Sequence, residues 1–478
     1  MNKRTLWIAV FGFWTMLACA PALGVLTPLL REATPLVIAT PTRLAEAQTD
    51  AAKTPEPTAL PSVTATPAST QALPEATPTL SPKVLEIMAR IERDMEDLRG
   101  LEPQHPVEKV IITPEELAHK VEEDFLADYS PEEAAQDAVE LWLFGLADKD
   151  IDLFEIHKTM LSEGIAGFYD DEEGKMYVVA SSGFPAHARM TYAHEYVHAL
   201  QDQTWDLDEG LNFNDETCKR DSEYCGGVQG LIEGDATFSE YLWYWEKATP
   251  QERRDIQQYY DSLNMPGWES SPEFLQEDIL FPYTAGEEFV FALFREDGWD
   301  TVNAAYENPP ASTEQILHPE RYPDDRPVRL TLPDVAGLLG EGWEPITEQN
   351  ALGEFWIYLT LAKSETLPWR LPEQEASDAA EGWGGDVYAT YHRPDTGAGA
   401  LLQIFAWDTP ADAQEFTAAF LRYAEKRFGP ATSSEAGLWV WEDTPWGAVI
   451  FAVQGSDGHV WAIAPDLATA QRLYQAAR

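Results

Sequence analysis

Basic side chains are scarce in this chain. Its 478 residues carry 32 Lys+Arg against 82 Asp+Glu, a formal net charge of −50. Such a surface repels phosphate backbones and anionic headgroups, which argues against nucleic acid as a partner. The acid excess reads first as a solvated, soluble face, and alternatively as a surface suited to saline or cation-rich surroundings or with room for calcium sites. Cysteine is nearly missing too: the 3 present are Cys19, Cys218 and Cys225. Two thiols in the folded part make a poor zinc cage, so any metal must be held by other side chains. No repeat of solenoid period is found, and the apolar run Leu6–Leu17 is too short for a comfortable membrane span. Aromatic residues are plentiful, with 17 Trp, 20 Phe and 18 Tyr. They are ample for a packed interior, and the length suggests two folded units plus extensions.

The first residues have the features of an export signal, with Lys3 and Arg4 ahead of the apolar run. Met16-Leu17-Ala18-Cys19 resembles the lipobox of bacterial lipoproteins, in which the cysteine is lipidated and becomes the new N-terminus. Cleavage after Ala20 is the competing reading, with Pro21 disfavouring that cut. The expectation is a lipoprotein-type signal over 1–19 and a membrane anchor through a lipid on Cys19. The protein would then be exported, either tethered to the outer face of a membrane or secreted. Residues 20–83 are rich in Thr, Pro, Ala and Ser, too poor in large apolar groups to offset their ordering entropy, and are expected to form an extended tether. In an exported chain Cys218 and Cys225, close together in a polar loop, are expected to form a local disulfide.

The remainder reads as α+β. A mainly helical domain is expected over 84–370, with a short β-hairpin, followed by a small α+β domain over 371–478. Val84 to Leu98 has helical spacing, and Thr113 and Ser130 are N-cap candidates, each followed by Pro-Glu-Glu. They open helices over Pro114–Leu126 and Pro131–Leu146. The hairpin pairs Ile165–Tyr169 with Met176–Ala180 across a polar turn. Long helices are expected over Pro185–Gln203 and Gly227–Lys247, then over Pro250–Asn264 and Ala285–Glu296. Beyond 371, five strands alternate with helices at Pro410–Arg427 and Leu467–Ala477. The Trp-rich segments there, Gly382–Asp386 with Trp439, Trp441, Trp446 and Trp461, are read as core before they are read as a binding face.

One segment carries chemistry: His194-Glu195-Tyr196-Val197-His198. On a helix the two histidines lie one turn apart on the same face, so both imidazoles reach one metal ion. Glu195 projects about 100° around the helix, beside the metal, where it can take a proton from a water. Catalytic zinc usually keeps three protein ligands and one open position. The best third ligand is Glu233, 35 residues beyond His198 in Leu231-Ile232-Glu233-Gly234-Asp235-Ala236, with Asp235 and Glu240 as reserves. Gly234 and Ala236 would allow close contact with a neighbouring helix.

His194-Glu195-x-x-His198 with Glu233-Gly234-x-Ala236 resembles the gluzincin metallopeptidases over roughly residues 110–330. The resemblance implies a zincin-like fold, a Zn2+ ion on His194, His198 and Glu233, and peptide or protein substrates laid along the edge strand of the hairpin. Thermolysin-like members carry an acid four residues after the glutamate ligand to orient a histidine; here that position is Thr237. The implied reaction is metal-assisted hydrolysis with Glu195 as general base. His318 is the first candidate for stabilising the oxyanion, followed by Tyr322, Tyr283 and Tyr169. The rival readings are a catalytically silent, zinc-stabilised module that binds envelope components and a metal-dependent hydrolase of another acyl bond. A base beside the histidine pair speaks against the first.

Overall fold

The computed structural model describes residues 81–120, 129–162, 167–179 and 184–478. The expected signal, the lipidated Cys19 and nearly all of the tether lie outside them. The chain is α+β, mainly helical, with a three-stranded and a seven-stranded sheet.

Local signals set the helix ends. Ser81 caps Pro82–Arg99 by accepting from the Val84 N–H, and Ser130 and Glu133 form a reciprocal capping box at the start of Pro131–Phe144. Gly100 and Gly145 end these two helices in the left-handed conformation. Thr113 and Glu116 also bond reciprocally, opening Pro114–Lys120; residues 121–128, where this helix was expected to continue, lie outside the described residues.

The small sheet has the order β1-β3-β2, built from Glu108–Ile112, Lys175–Val179 and Gly167–Asp170. β2 and β3 are the expected hairpin. β1, which runs parallel to β3, had no signal strong enough to separate it from a loop. β2 is therefore an edge strand, and the helix Ala186–Trp205 packs directly against it. That helix, which we call the histidine helix, is buried on every side through its middle, from Met190 to Gln201.

A second long helix, Ser222–Glu246, crosses the histidine helix and carries Glu233. The disulfide Cys218–Cys225 ties its first turns to the short helix before it. A third, Glu273–Asp297, is longer than the expected Ala285–Glu296. It runs through Pro282 because Phe274, Leu275, Ile279 and Phe281 bury an apolar face that starts well before the proline. The second and third helices meet at glycines. A Cβ on Gly234 would stand 2.1 Å from the Gly286 carbonyl oxygen, and one on Gly286 would stand 2.2 Å from the Gly230 carbonyl oxygen. Only hydrogen fits at this crossing.

The large sheet is built from β4 (Glu344–Asn350), β5 (Trp383–Arg393), β6 (Ala398–Trp407), β7 (Ser433–Glu435), β8 (Leu438–Thr444), β9 (Gly447–Gln454) and β10 (Gly458–Ala464), antiparallel in the order β4-β5-β6-β10-β9-β8-β7. Its first strand, β4 at Glu344–Asn350, lies ahead of the change of texture near residue 371 that suggested the domain boundary. Alternation sends Trp461, Ile463 and Phe451 to one face, under the helix Pro410–Phe428, and Val460, Ala462 and Ile450 to the other, under Leu467–Ala476. Trp383, Trp441, Trp446 and Trp461 are core. The helical part and the sheet share one core: the Tyr423 hydroxyl donates to the Phe144 carbonyl, and Trp446 Nε1–H donates to the Trp142 carbonyl.

Candidate metal centre

His194 and His198 project from one face of the histidine helix, and Glu233 meets them from the crossing helix. Their Nε2 atoms lie 3.1 Å apart, and Glu233 Oε2 stands 3.2 Å from the first and 3.3 Å from the second. All three side chains are buried.

The outer edges of the two rings settle where their protons sit. Gln201 Nε2 donates to the Ile232 carbonyl and to Asp235, so its Oε1, 2.8 Å from His198 Nδ1, must accept from that ring. His194 Nδ1 lies 3.2 Å from Glu240 Oε2, an oxygen that accepts from an Nδ1–H. When neutral, both rings therefore turn an Nε2 lone pair toward a carboxylate oxygen. Three acceptors this close repel one another unless a cation lies among them.

Burial disfavours charge on every member, yet the cluster overrides it. The imidazoles hold the Glu233 carboxyl down at about 2, and hydrogen bonds that the His194 ring donates to Glu233 and Glu240 lift it to about 10 against the opposing effect of burial. A site that draws a proton so strongly also draws a metal, and metal displaces that proton. The dimensions agree: tetrahedral zinc bonded at about 2.0–2.1 Å sets its ligands about 3.3 Å apart.

Glu195 lies on the same helix. Its Oε2 accepts from the Tyr169 N–H of β2 at 2.9 Å, and burial pushes its carboxyl up to about 7. That N–H turns away from β3, so the base adjoins the β2 end of the sheet.

The supporting layer differs from the expected one. Thr237 is buried and orients no histidine; Glu240, two helical turns beyond Glu233, does so instead. Asp235, a reserve ligand by sequence, is bound at 2.7 Å by Arg99, a fully buried pair, and also holds Gln201. Arg99 lies over the Trp299 ring at 4.2 Å and donates to Asn303. The sequence carried no sign of Gln201 or Arg99 beyond an arginine in an otherwise apolar helical stripe.

His318 is not brought to the cluster. Its Nε2 is paired at 2.9 Å with the buried Glu354, whose charge needs a partner there, and its short helix packs on Gly226 and Gly230 of the glutamate helix. The Tyr322 hydroxyl is bonded to the Asn308 carbonyl, and Tyr169 contributes its N–H. Tyr283 places its ring 6.1 Å from that of His194. Two other acidic groups among the described residues have metal-like spacing. Glu273, Glu277 and Glu373 surround Lys363, and Glu314, Asp325 and Asp408 surround Arg321, so both groups already have their cation.

A family model described as a domain of unknown function, DUF8575, matches residues 344–474, the large sheet and its helices. The metal cluster lies outside that match. A solved Chloroflexus aurantiacus protein, provisionally named a hydrolase with a novel fold, is 18% identical with a TM-score of 0.33, over 51% of this chain and 91% of that one. So low a score carries no argument about this fold. No curated protein matches the chain.

Proposed function

We propose that this protein is a zinc-dependent metallopeptidase of the gluzincin kind, acting on peptides or proteins outside the cytoplasm. One observation carries the reading: two Nε2 lone pairs and a carboxylate oxygen converge at 3.1–3.3 Å, with a fourth group, Glu195, beside them and held apart by a backbone N–H. A structural zinc site closes its fourth position and needs no base.

His194, His198 and Glu233 would hold the ion, which supplies Lewis acidity and lowers the pKa of a water to about 7. Glu195 accepts the proton of the attacking water and delivers it to the leaving nitrogen. The Tyr169 N–H keeps Glu195 turned to that task. Glu240 and Gln201 fix both rings with Nε2 inward. Tyr283 is the candidate to meet the oxyanion, and β2, at the end of its sheet among the described residues, is the strand along which an extended substrate would lie. The Cys218–Cys225 disulfide suits an oxidising compartment, consistent with export and a lipid on Cys19.

The test is metal analysis of the purified protein combined with cleavage of a peptide library. One zinc per chain and chelator-sensitive cleavage are expected. Zinc-loaded protein that cuts no peptide in the library would remove the peptidase reading, and unchanged zinc content in Glu233→Ala would remove Glu233 from the ligands.

A further inference from the structure

Along the helix that carries Glu233 lies a partly open cavity of about 120 Å3 with an unusual wall. Four carboxyl side chains face it, Asp137, Glu140, Glu223 and Asp278, and among the described residues no lysine or arginine lines it. Between the acids the wall is apolar, formed in part by Phe144, Leu275, Phe355 and Trp356. His157 also lines it, and burial lowers that ring to about 4, so it adds no positive charge.

The acids meet only neutral partners: Tyr129 bonds Asp137 and Trp356 bonds Asp278. Glu140 accepts from Thr347, Thr390 and Tyr388, and Glu223 from the N–H and hydroxyl of Thr313, all neutral donors. Burial pushes Asp137, Glu223 and Asp278 each up to about 8. Gln229, 3% exposed, lines the cavity with an Nε2 that has no hydrogen-bond partner, as has His157 Nδ1. A buried amide donor left unbonded at a cavity wall is costly unless something enters to meet it.

We propose that this cavity binds an organic monocation, a primary ammonium on a short apolar stem the size of a lysine side chain. The four acids do not converge as metal ligands do. They are absent from the groups whose ligand atoms lie within 4.8 Å of one another, so carboxyl groups are offered around a wall rather than at a point, and an incoming cation favours their ionised form. Size sets the stem: a cavity of about 150 Å3 takes benzene, so this one holds about five or six heavy atoms. The Gln229 donor is available to an oxygen carried by the same ligand.

Position connects the cavity to the metal cluster. Ser222, Gly226 and Gln229 line it and Glu233 follows, four, three and four residues apart, on one face of a single helix. Gln229 and Glu233 are thus separated by about 6 Å along the axis. On the facing helix Phe281 and Pro282 line the cavity, and the next residue, Tyr283, meets His194. The cation therefore has two sources, the side chain of a peptide held at the metal cluster or a free alkylamine.

Calorimetric titration of the full chain with n-butylammonium, against n-butanol as neutral isostere, tests the cavity. The ammonium is expected to bind at least tenfold more tightly, and Asp278→Asn or Glu223→Gln to remove that preference. Equal affinity for both, or no binding of the ammonium, overturns the proposal, and the wild-type comparison decides even if both variants fail to fold. Butylammonium raising KM for a lysine-containing peptide at unchanged kcat assigns the cavity to the substrate; an unchanged KM assigns it to a free amine. Calorimetry needs no turnover, so a failure of the peptidase reading is read separately.

Discussion

Glu240 Oε2 lies 3.2 Å from Nδ1 of His194, reaching it from two turns beyond Glu233 on the same helix. One helix thus supplies both a carboxylate at the inner edge of the ring and a carboxylate at its outer edge. Glu240→Gln keeps an acceptor but removes the charge that fixes the ring. Its zinc affinity is expected to fall about 10–100-fold. The metal-free protein should lose little stability, because Glu240 Oε1 is buried without a partner. Competition with a chromophoric chelator measures the first and thermal unfolding the second; undiminished affinity would show that the contact is idle.

Glu195→Gln removes the base and leaves the helix and its packing intact. Zinc stoichiometry is expected to stay at the wild-type value while hydrolysis falls by about 10²–10⁴-fold. Turnover at the wild-type rate would mean that some other group handles the proton.

Arg99 and Asp235 form an ion pair in which neither side chain is exposed. Arg99→Met strands the Asp235 carboxylate and is expected to cost about 3–5 kcal/mol in urea unfolding. Arg99→Met with Asp235→Asn should recover part of that loss, because Asn still accepts from Gln201 and Tyr306, which both bond Asp235 Oδ2. A loss below about 1 kcal/mol in the single variant would contradict a buried charge left unpaired.

His459 gives the large sheet a pH dependence. Trp407 Nε1–H can only donate, so Nδ1 of His459 accepts at 3.0 Å and its Nε2–H faces the Thr417 hydroxyl. A second proton would set two N–H groups against each other, and burial lowers the ring to about 4. Between about 6.5, the ordinary value, and 4 the unfolded chain binds a proton that the folded one refuses. Stability should therefore rise with pH across that window and be lost as pH falls through it, by at most about 3 kcal/mol. His459→Gln should flatten this dependence, as judged by unfolding at pH 4.5 and 7; an unchanged slope would place it elsewhere.

Several features were readable because their causes are local. The capping pairs at Thr113 and Ser130 opened helices where expected, and the polar turn between Tyr169 and Lys175 marked the hairpin. Other features were not, for reasons as specific. Pro282 conceals the first half of a helix that tertiary burial carries past it. β1 is five residues held by a parallel partner more than sixty residues away, a pairing no local pattern encodes. β4 has a mostly exposed burial pattern and lacks the apolar alternation of the strands it joins.

The sequence by itself determined the pairing of His194 and His198 and the place of Glu195 beside them, because four residues make one helical turn in any context. It also named Glu233, through the small residues around it. Which groups hold the rings, and which do not reach them, was decided only by the tertiary structure. Glu240 and Gln201 reach the rings, with Arg99 behind them on Asp235, because the histidine helix and the helix of Glu233 cross, and His318 is drawn away to Glu354. The helix of Glu233 is in turn held against a third helix by the contact of Gly230 and Gly234 with Gly286, between segments more than fifty residues apart. Spacing along one helix is a local property, whereas the convergence of two helices depends on the whole core that presses them together.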